Sequence, residues 1–120
     1  KANHDIVDEL MTPGFIHHLK DPRLPAGRAG MKLLGQVVAG GFPDVQATVD
    51  ELLTDGDRVI ERTSAAATHT GDFNGIPATG NKVAWTEIHI YRMENGKIAE
   101  MWSEVDLLSL LVQLGAIPGA

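Results

Sequence analysis

A change of hydrophobic period at Phe42 constrains this chain more than any other feature in it. Upstream, apolar residues recur at helical spacing. His4 to Met11 carries Ile6, Val7, Leu10 and Met11 on one side and Asp5, Asp8 and Glu9 on the other, with Asn3 placed to cap it. Thr12-Pro13-Gly14 stops that helix. Phe15 to Leu19 is a short segment, and Lys20 to Arg23 a polar loop. A second helix is expected from Gly27 to Ala39, with Met31, Leu34, Val37 and Val38 on its apolar side and Gly40-Gly41 at its end.

Downstream of Phe42, residues alternate with the two-residue period of a strand. Strands are expected over Val45 to Leu53, Arg58 to Thr70, Lys82 to Met93 and Lys97 to Val105. Asp55-Gly56-Asp57 and Asn95-Gly96 are hairpin turns, because Asn-Gly accepts the positive φ values such a turn demands. Gly71 to Gly80 is a loop, and a last short helix runs from Asp106 to Leu114. Helices gathered on one face of a four-strand antiparallel sheet make an α+β fold. Its physical consequence is a cone: the sheet curls, the helices close its open side, and one pocket remains for a small molecule.

The 120 residues fit one domain, 1–120, and can bury a core without staples. No cysteine is present, so disulfides and thiolate metal sites are excluded, which is compatible with a reducing, cytoplasmic setting. The net charge is −6, and the ten basic residues form no run, which disfavours nucleic acid as a partner. The longest apolar stretch, Leu107 to Leu114, is too short for a membrane span. The chain begins Lys-Ala-Asn-His-Asp, which reads as no signal peptide and as a start that is trimmed or processed.

Several phrases together resemble the SnoaL-like polyketide cyclases, also called ester cyclases, of the nuclear-transport-factor-2-like superfamily. They are Phe42-Pro43-Asp44, Asp55-Gly56-Asp57-Arg58-Val59, the run Thr68 to Gly80, Asn95-Gly96-Lys97-Ile98, Trp102-Ser103-Glu104-Val105-Asp106 and Gln113-Leu114-Gly115. The resemblance covers about Phe15 to Pro118 and is more specific for fold than for reaction, since this fold hosts several chemistries. Members usually carry a longer first helix. Here it is short or missing its beginning, so the chain is trimmed, the pocket is more open, or a second subunit covers it.

The resemblance implies a cofactor-independent acid/base enzyme closing a ring in a small, largely apolar carbonyl compound by an intramolecular aldol step. Asp106 is the expected acid/base, in competition with a role as cap of the last helix. His69 is the expected assistant, in competition with a turn histidine bonded to backbone. Trp102, His17, His18, Glu104, Glu87 and Phe73 are taken as substrate-binding. Ile98, Glu100, Trp102, Glu104 and Asp106 share one face of their strand, and Trp85, Glu87, His89, Tyr91 and Met93 one face of theirs. Facing inward, Glu87 and His89 would form a polar dyad; Ile88 and Ile90 read as the natural core residues, which favours turning Glu87 and His89 outward or into an interface. No metal is expected, since no spacing demands one. A non-catalytic binder or structural dimer is the alternative function, and a hydratase or epoxide hydrolase the third. Arg62, on the opposite face from His69, argues mildly against epoxide hydrolysis. The apolar last helix and the uncovered sheet face point to a homodimer.

Overall fold

A computed structural model of the chain describes residues 5–19 and 21–118. The element order is α1 (Asp5–Leu10), β1 (Met11–His17), α2 (Gly27–Gly41), β2 (Gln46–Asp55), β3 (Arg58–Thr68), β4 (Lys82–Glu94), β5 (Lys97–Val105) and α3 (Leu107–Gln113). The expected start of the first helix at Asn3 and His4 lies outside the described residues.

The α+β class holds, with one strand more than expected. A curved, unclosed sheet runs β1-β5-β4-β3-β2. The four strands of the meander are antiparallel, and β1 joins its edge parallel to β5. Pro13 and Gly14 fall inside β1, where the register shifts between Met11 and Ile16. An edge strand tolerates both, because one side of it has no ladder to feed. The turns follow their residues: Asn95 and Gly96 sit at φ 52° and 78°, and Gly56 at 61°.

Residues paired across strands share a face, so the register assigns the whole sheet. The inner face carries Ala65, Ala67, Val83, Trp85, Ala99 and Met101, all buried. One core cluster joins Phe42, Phe73, Trp85, Leu110 and Leu114 at one end of this face. A second joins Met11, Phe15 and Met101, with Tyr91 and Met31 against it, at the other. The expected single hollow is thus divided: each end of the inner face is filled by side chains, and polar groups occupy the span between.

Ile88 and Ile90 are 47% and 37% exposed, while His89 is 8% exposed, which overturns their assignment to the core. The phase of β4 is set by Val83 and Trp85, whose burial carries Glu87, His89 and Tyr91 inward with them. Along β2 every residue is exposed, including Val49 and Leu52, whose partners Thr63 and Glu61 lie on the inner face. The inner face is therefore open toward β2.

Among the described residues, no helix is long and apolar enough to cross a membrane.

Candidate active site

Strands β3, β4, β5 and β1 bring seven polar side chains together on the inner face between the two core clusters. His89 is Cα partner to Glu61 on one side and Ser103 on the other. The His89 ring joins Glu87 Oε1 at 2.7 Å through Nε2 and Ser103 Oγ at 2.8 Å through Nδ1. Ser103 Oγ also lies 2.8 Å from His17 Nε2, which arrives from β1. The second oxygen of Glu87 accepts from the Trp85 indole N–H at 2.7 Å. Beside this row, Glu61 accepts from the hydroxyls of Tyr91 and Thr63.

Proton positions in the row follow from its partners. The hydrogen bond from His89, then that from Trp85, holds the Glu87 carboxyl below its ordinary range despite burial, so Glu87 is an acceptor. His89 must then carry a proton on Nε2, and when neutral it offers Nδ1 bare to the Ser103 hydroxyl. Ser103 in turn accepts from His17 Nε2–H. Burial, followed by the nearby imidazoles of His89 and His18, pushes His17 down to about 4. It is neutral at physiological pH, as the row requires. Burial, followed by the bond to Glu61, pushes the Tyr91 phenol above its ordinary value, so it remains a donor.

His17 also borders a cleft of about 100 Å³ with Leu19, Asp21, Leu24, Pro25 and Gly27. That volume holds one end of a molecule, well short of the roughly 300 Å³ or more of a drug-sized pocket. A larger depression of about 320 Å³ lies by Asp44, Ala66, Thr68 and Lys82. It is remote from the row and contains none of its residues.

The other expected site residues lie elsewhere. Asp106 is exposed, and its Oδ1 accepts from the Ser109 backbone N–H at 3.1 Å, capping α3. The capping alternative describes it, and its carboxyl is not directed into the polar row. His69 is fully buried against Phe42, with ring centroids 5.4 Å apart. Its Nδ1 lies 2.9 Å from the Thr79 hydroxyl and 3.2 Å from the Thr79 backbone N–H, and its Nε2 is buried without a partner. A close crossing fixes this turn: a Cβ on Gly71 would stand 1.9 Å from the Gly40 carbonyl oxygen. Phe73 belongs to the same core cluster.

The face shared by Trp102 and Glu104 is the outer one, which corrects their placement in a pocket wall. Trp102 stacks on His18 at 4.8 Å, Arg58 lies 4.9 Å above the indole, and Glu104 is exposed. His18 bonds Glu100 at 2.6 Å on that side. Arg62 is likewise outside, bonded to Glu51 at 3.2 Å. Of the eight expected site residues, only His17 and Glu87 join the polar row, while His18 and Trp102 meet on the outer face. Sequence reasoning missed Ser103, Glu61, Thr63 and Tyr91 as members of a site and favoured an outward His89. The signal that could have found them was the phase of Trp85 and of Ala65 and Ala67.

Among the described residues, no group of three or more His, Asp or Glu side chains is arranged to hold a metal ion.

Comparison with known proteins agrees with this architecture. The chain is 28% identical over 112 residues to aklanonic acid methyl ester cyclase DauD of Streptomyces sp. strain C5, covering 92% of this chain and 67% of that protein. IdmH of Streptomyces antibioticus, a candidate polyketide cyclase, superposes with a TM-score of 0.79 at 33% identity, covering 92% of this chain and 86% of that one. AclR of Streptomyces galilaeus, a candidate hydroxylase, superposes with a TM-score of 0.82 at 31% identity, covering 93% and 70%. The model of the SnoaL-like polyketide cyclase family matches residues 1–114. The chain belongs to the SnoaL-like polyketide cyclase family.

Proposed function

We propose that the chain is a cofactor-independent acid/base enzyme of polyketide-cyclase type, with His89 held by Glu87 as its proton-handling group. The observation that carries this reading is the continuous row Glu87–His89–Ser103–His17 on the inner face. A carboxylate that fixes an imidazole's tautomer and balances its positive charge makes that imidazole a competent base. The imidazole side of the row takes a proton from carbon beside a carbonyl. The resulting enolate attacks a second carbonyl of the same molecule and forms a carbon–carbon bond. The imidazolium then returns the proton to the new alkoxide, so no atom is lost or gained. The open, apolar inner face at Val49 and Leu52 offers room for a flat ring system that the small cleft cannot hold.

The test begins with the compound in the relative's name, aklanonic acid methyl ester, then other enolisable polyketide esters. His89→Gln is expected to lower turnover by roughly 10²–10⁴-fold, the usual worth of a general base. Asp106→Asn is expected to leave turnover unchanged, because Asn caps a helix as well as Asp does. The reverse pattern returns the acid/base role to Asp106. Binding without turnover would make the chain a binder. Entry of solvent oxygen into the product would favour hydration or hydroxylation.

The reading includes a homodimer through the outer face. Leu53, Ile60, Ile90 and Trp102 stand side by side across four strands, with Leu53 and Ile90 53% and 37% exposed. Such a row invites a second sheet. Ile90→Glu is expected to yield a folded monomer by light scattering. A wild-type chain that is already monomeric at working concentration would remove the dimer.

A further inference from the structure

The row has two complete hydrogen-bond arrangements on the same heavy atoms. When His89 is neutral, hydrogens run from His17 Nε2 to Ser103 Oγ, from Ser103 to His89 Nδ1, and from His89 Nε2 to Glu87. When His89 is protonated, it donates through both nitrogens, to Ser103 and to Glu87. Ser103 Oγ must then turn its own hydrogen to His17 Nε2. That is possible only if His17 carries its proton on Nδ1. Both arrangements complete the three hydrogen bonds of the row and leave His17 Nδ1 outside it, so passing between them moves hydrogens and no side chain.

His17 is also the member of the row that borders the cleft with Leu19, Leu24, Pro25 and Gly27. Its Nε2 is used by Ser103, and among the described residues no group bonds its Nδ1. We infer that His17 and Ser103 are a proton relay, which takes a proton from a hydroxyl or enolisable carbonyl group seated in the cleft and delivers it to His89. This deepens the acid/base reading and rests on it for its role in turnover. The step balances. Nδ1 of His17 gains the cleft proton, and Nε2 releases its own to Ser103 Oγ. Ser103 releases its hydroxyl proton to His89 Nδ1. The products are the deprotonated group in the cleft and an imidazolium paired with Glu87.

The relay also explains how a histidine as weakly basic as His17 can take part. The proton does not stay on it but passes to the imidazole beside a carboxylate. Other groups near His17 are His18, just past the end of β1, His89 on β4 and Asp21 at the cleft. The last of these is engaged with Arg23. Of these three, only His89 shares a hydrogen-bonded path with His17 among the described residues.

The experiment is nitrogen-detected NMR of the histidine rings in the full chain, with turnover measured alongside. In wild type at neutral pH, His17 and His89 are both expected to carry hydrogen on Nε2. On acidification, His17 is expected to switch to Nδ1–H as His89 gains its second proton. Ser103→Ala is expected to uncouple the two events, and Ser103→Thr, which keeps the hydroxyl, to restore them. With substrate, Ser103→Ala and His17→Phe are expected to lower kcat at least tenfold with KM nearly unchanged, and Ser103→Thr to recover most of it. An Nδ1–H tautomer of His17 at neutral pH, or a His17 that does not respond to His89, overturns the relay whatever the turnover. Turnover that survives His89→Gln while the wild-type switch is intact overturns the enzymatic reading and leaves the relay standing as proton chemistry of the fold.

Discussion

His69 and His89 show how little a residue type says about its work. Both are buried histidines, one just past the end of β3 and one within β4, 0% and 8% exposed. His89 has a partner on each ring nitrogen, and His69 has the Thr79 hydroxyl and amide on one and nothing on the other. An unpaired buried polar atom costs about 1–3 kcal/mol, so the site retains His69 for something that offsets this. Its ring fills space against Phe42, and its Nδ1 satisfies a loop amide that would otherwise be orphaned. These are services to folding. His69→Ala is therefore expected to destabilise the chain by about 2–4 kcal/mol, the usual range for emptying a core position. Turnover per folded molecule is expected to stay unchanged. A stable variant with lost turnover would instead place His69 in the chemistry.

At the scale of elements, the last helix tests the same distinction. α3 is short and apolar, and Asp106 accepts from its Ser109 amide. Asp106→Ala is expected to cost about 1 kcal/mol by chemical denaturation, the usual worth of a cap, and Asp106→Asn almost nothing. Equal losses in both would mean that the charge, not the cap, matters. Most elements were legible because their signals are local: the Asn95-Gly96 turn, the alternation of β3 and β5, and the spacing of α2 all appear where expected. β1 was not, because Pro13 and Gly14 read as breakers, and only the neighbouring β5 makes them tolerable as an edge. The inward phase of β4 was not legible either. Within Thr86 to Tyr91, Ile88 and Ile90 are more hydrophobic than Glu87 and His89, so a local reading buries the wrong set. The deciding residues, Val83 and Trp85, lie at the strand's far end, and their effect is carried along it by geometry alone. The site inherited that error, since Glu87, His89 and Ser103 meet only when the phases of β4 and β5 are both known.

For the whole molecule, burying a neutral histidine couples stability to pH. His17 titrates near 4 in the folded chain and at its ordinary 6.5 when unfolded. Between those values the unfolded chain binds a proton that the folded chain does not, so stability rises with pH across the window and is lost as pH falls through it. Because His17 is only partly buried, the effect is roughly 1–2 kcal/mol after allowance for solvent screening. The carboxyls of Asp8, Asp21, Asp44, Glu87 and Glu100 are all held below their ordinary values, Asp21 down to about 2. Their contribution is present above the unfolded values of 3.8 and 4.5 and is lost as pH falls below them, so it overlaps only the lower edge of the His17 window and lies mostly beneath it. Tyr91 acts at the other extreme, holding its proton when folded and losing it above pH 10 when unfolded, so stability falls again in strong base. The His17 arm can be isolated. His17→Gln keeps a donor toward Ser103 but cannot titrate, and urea midpoints of this variant and of wild type are expected to diverge between pH 6.5 and 4. Wild type is expected to lose stability more steeply, and the two curves to run parallel below pH 4. Parallel curves through the upper window would mean that His17 is not held neutral by the fold, and the hydrogen order deduced for the row would fail with it.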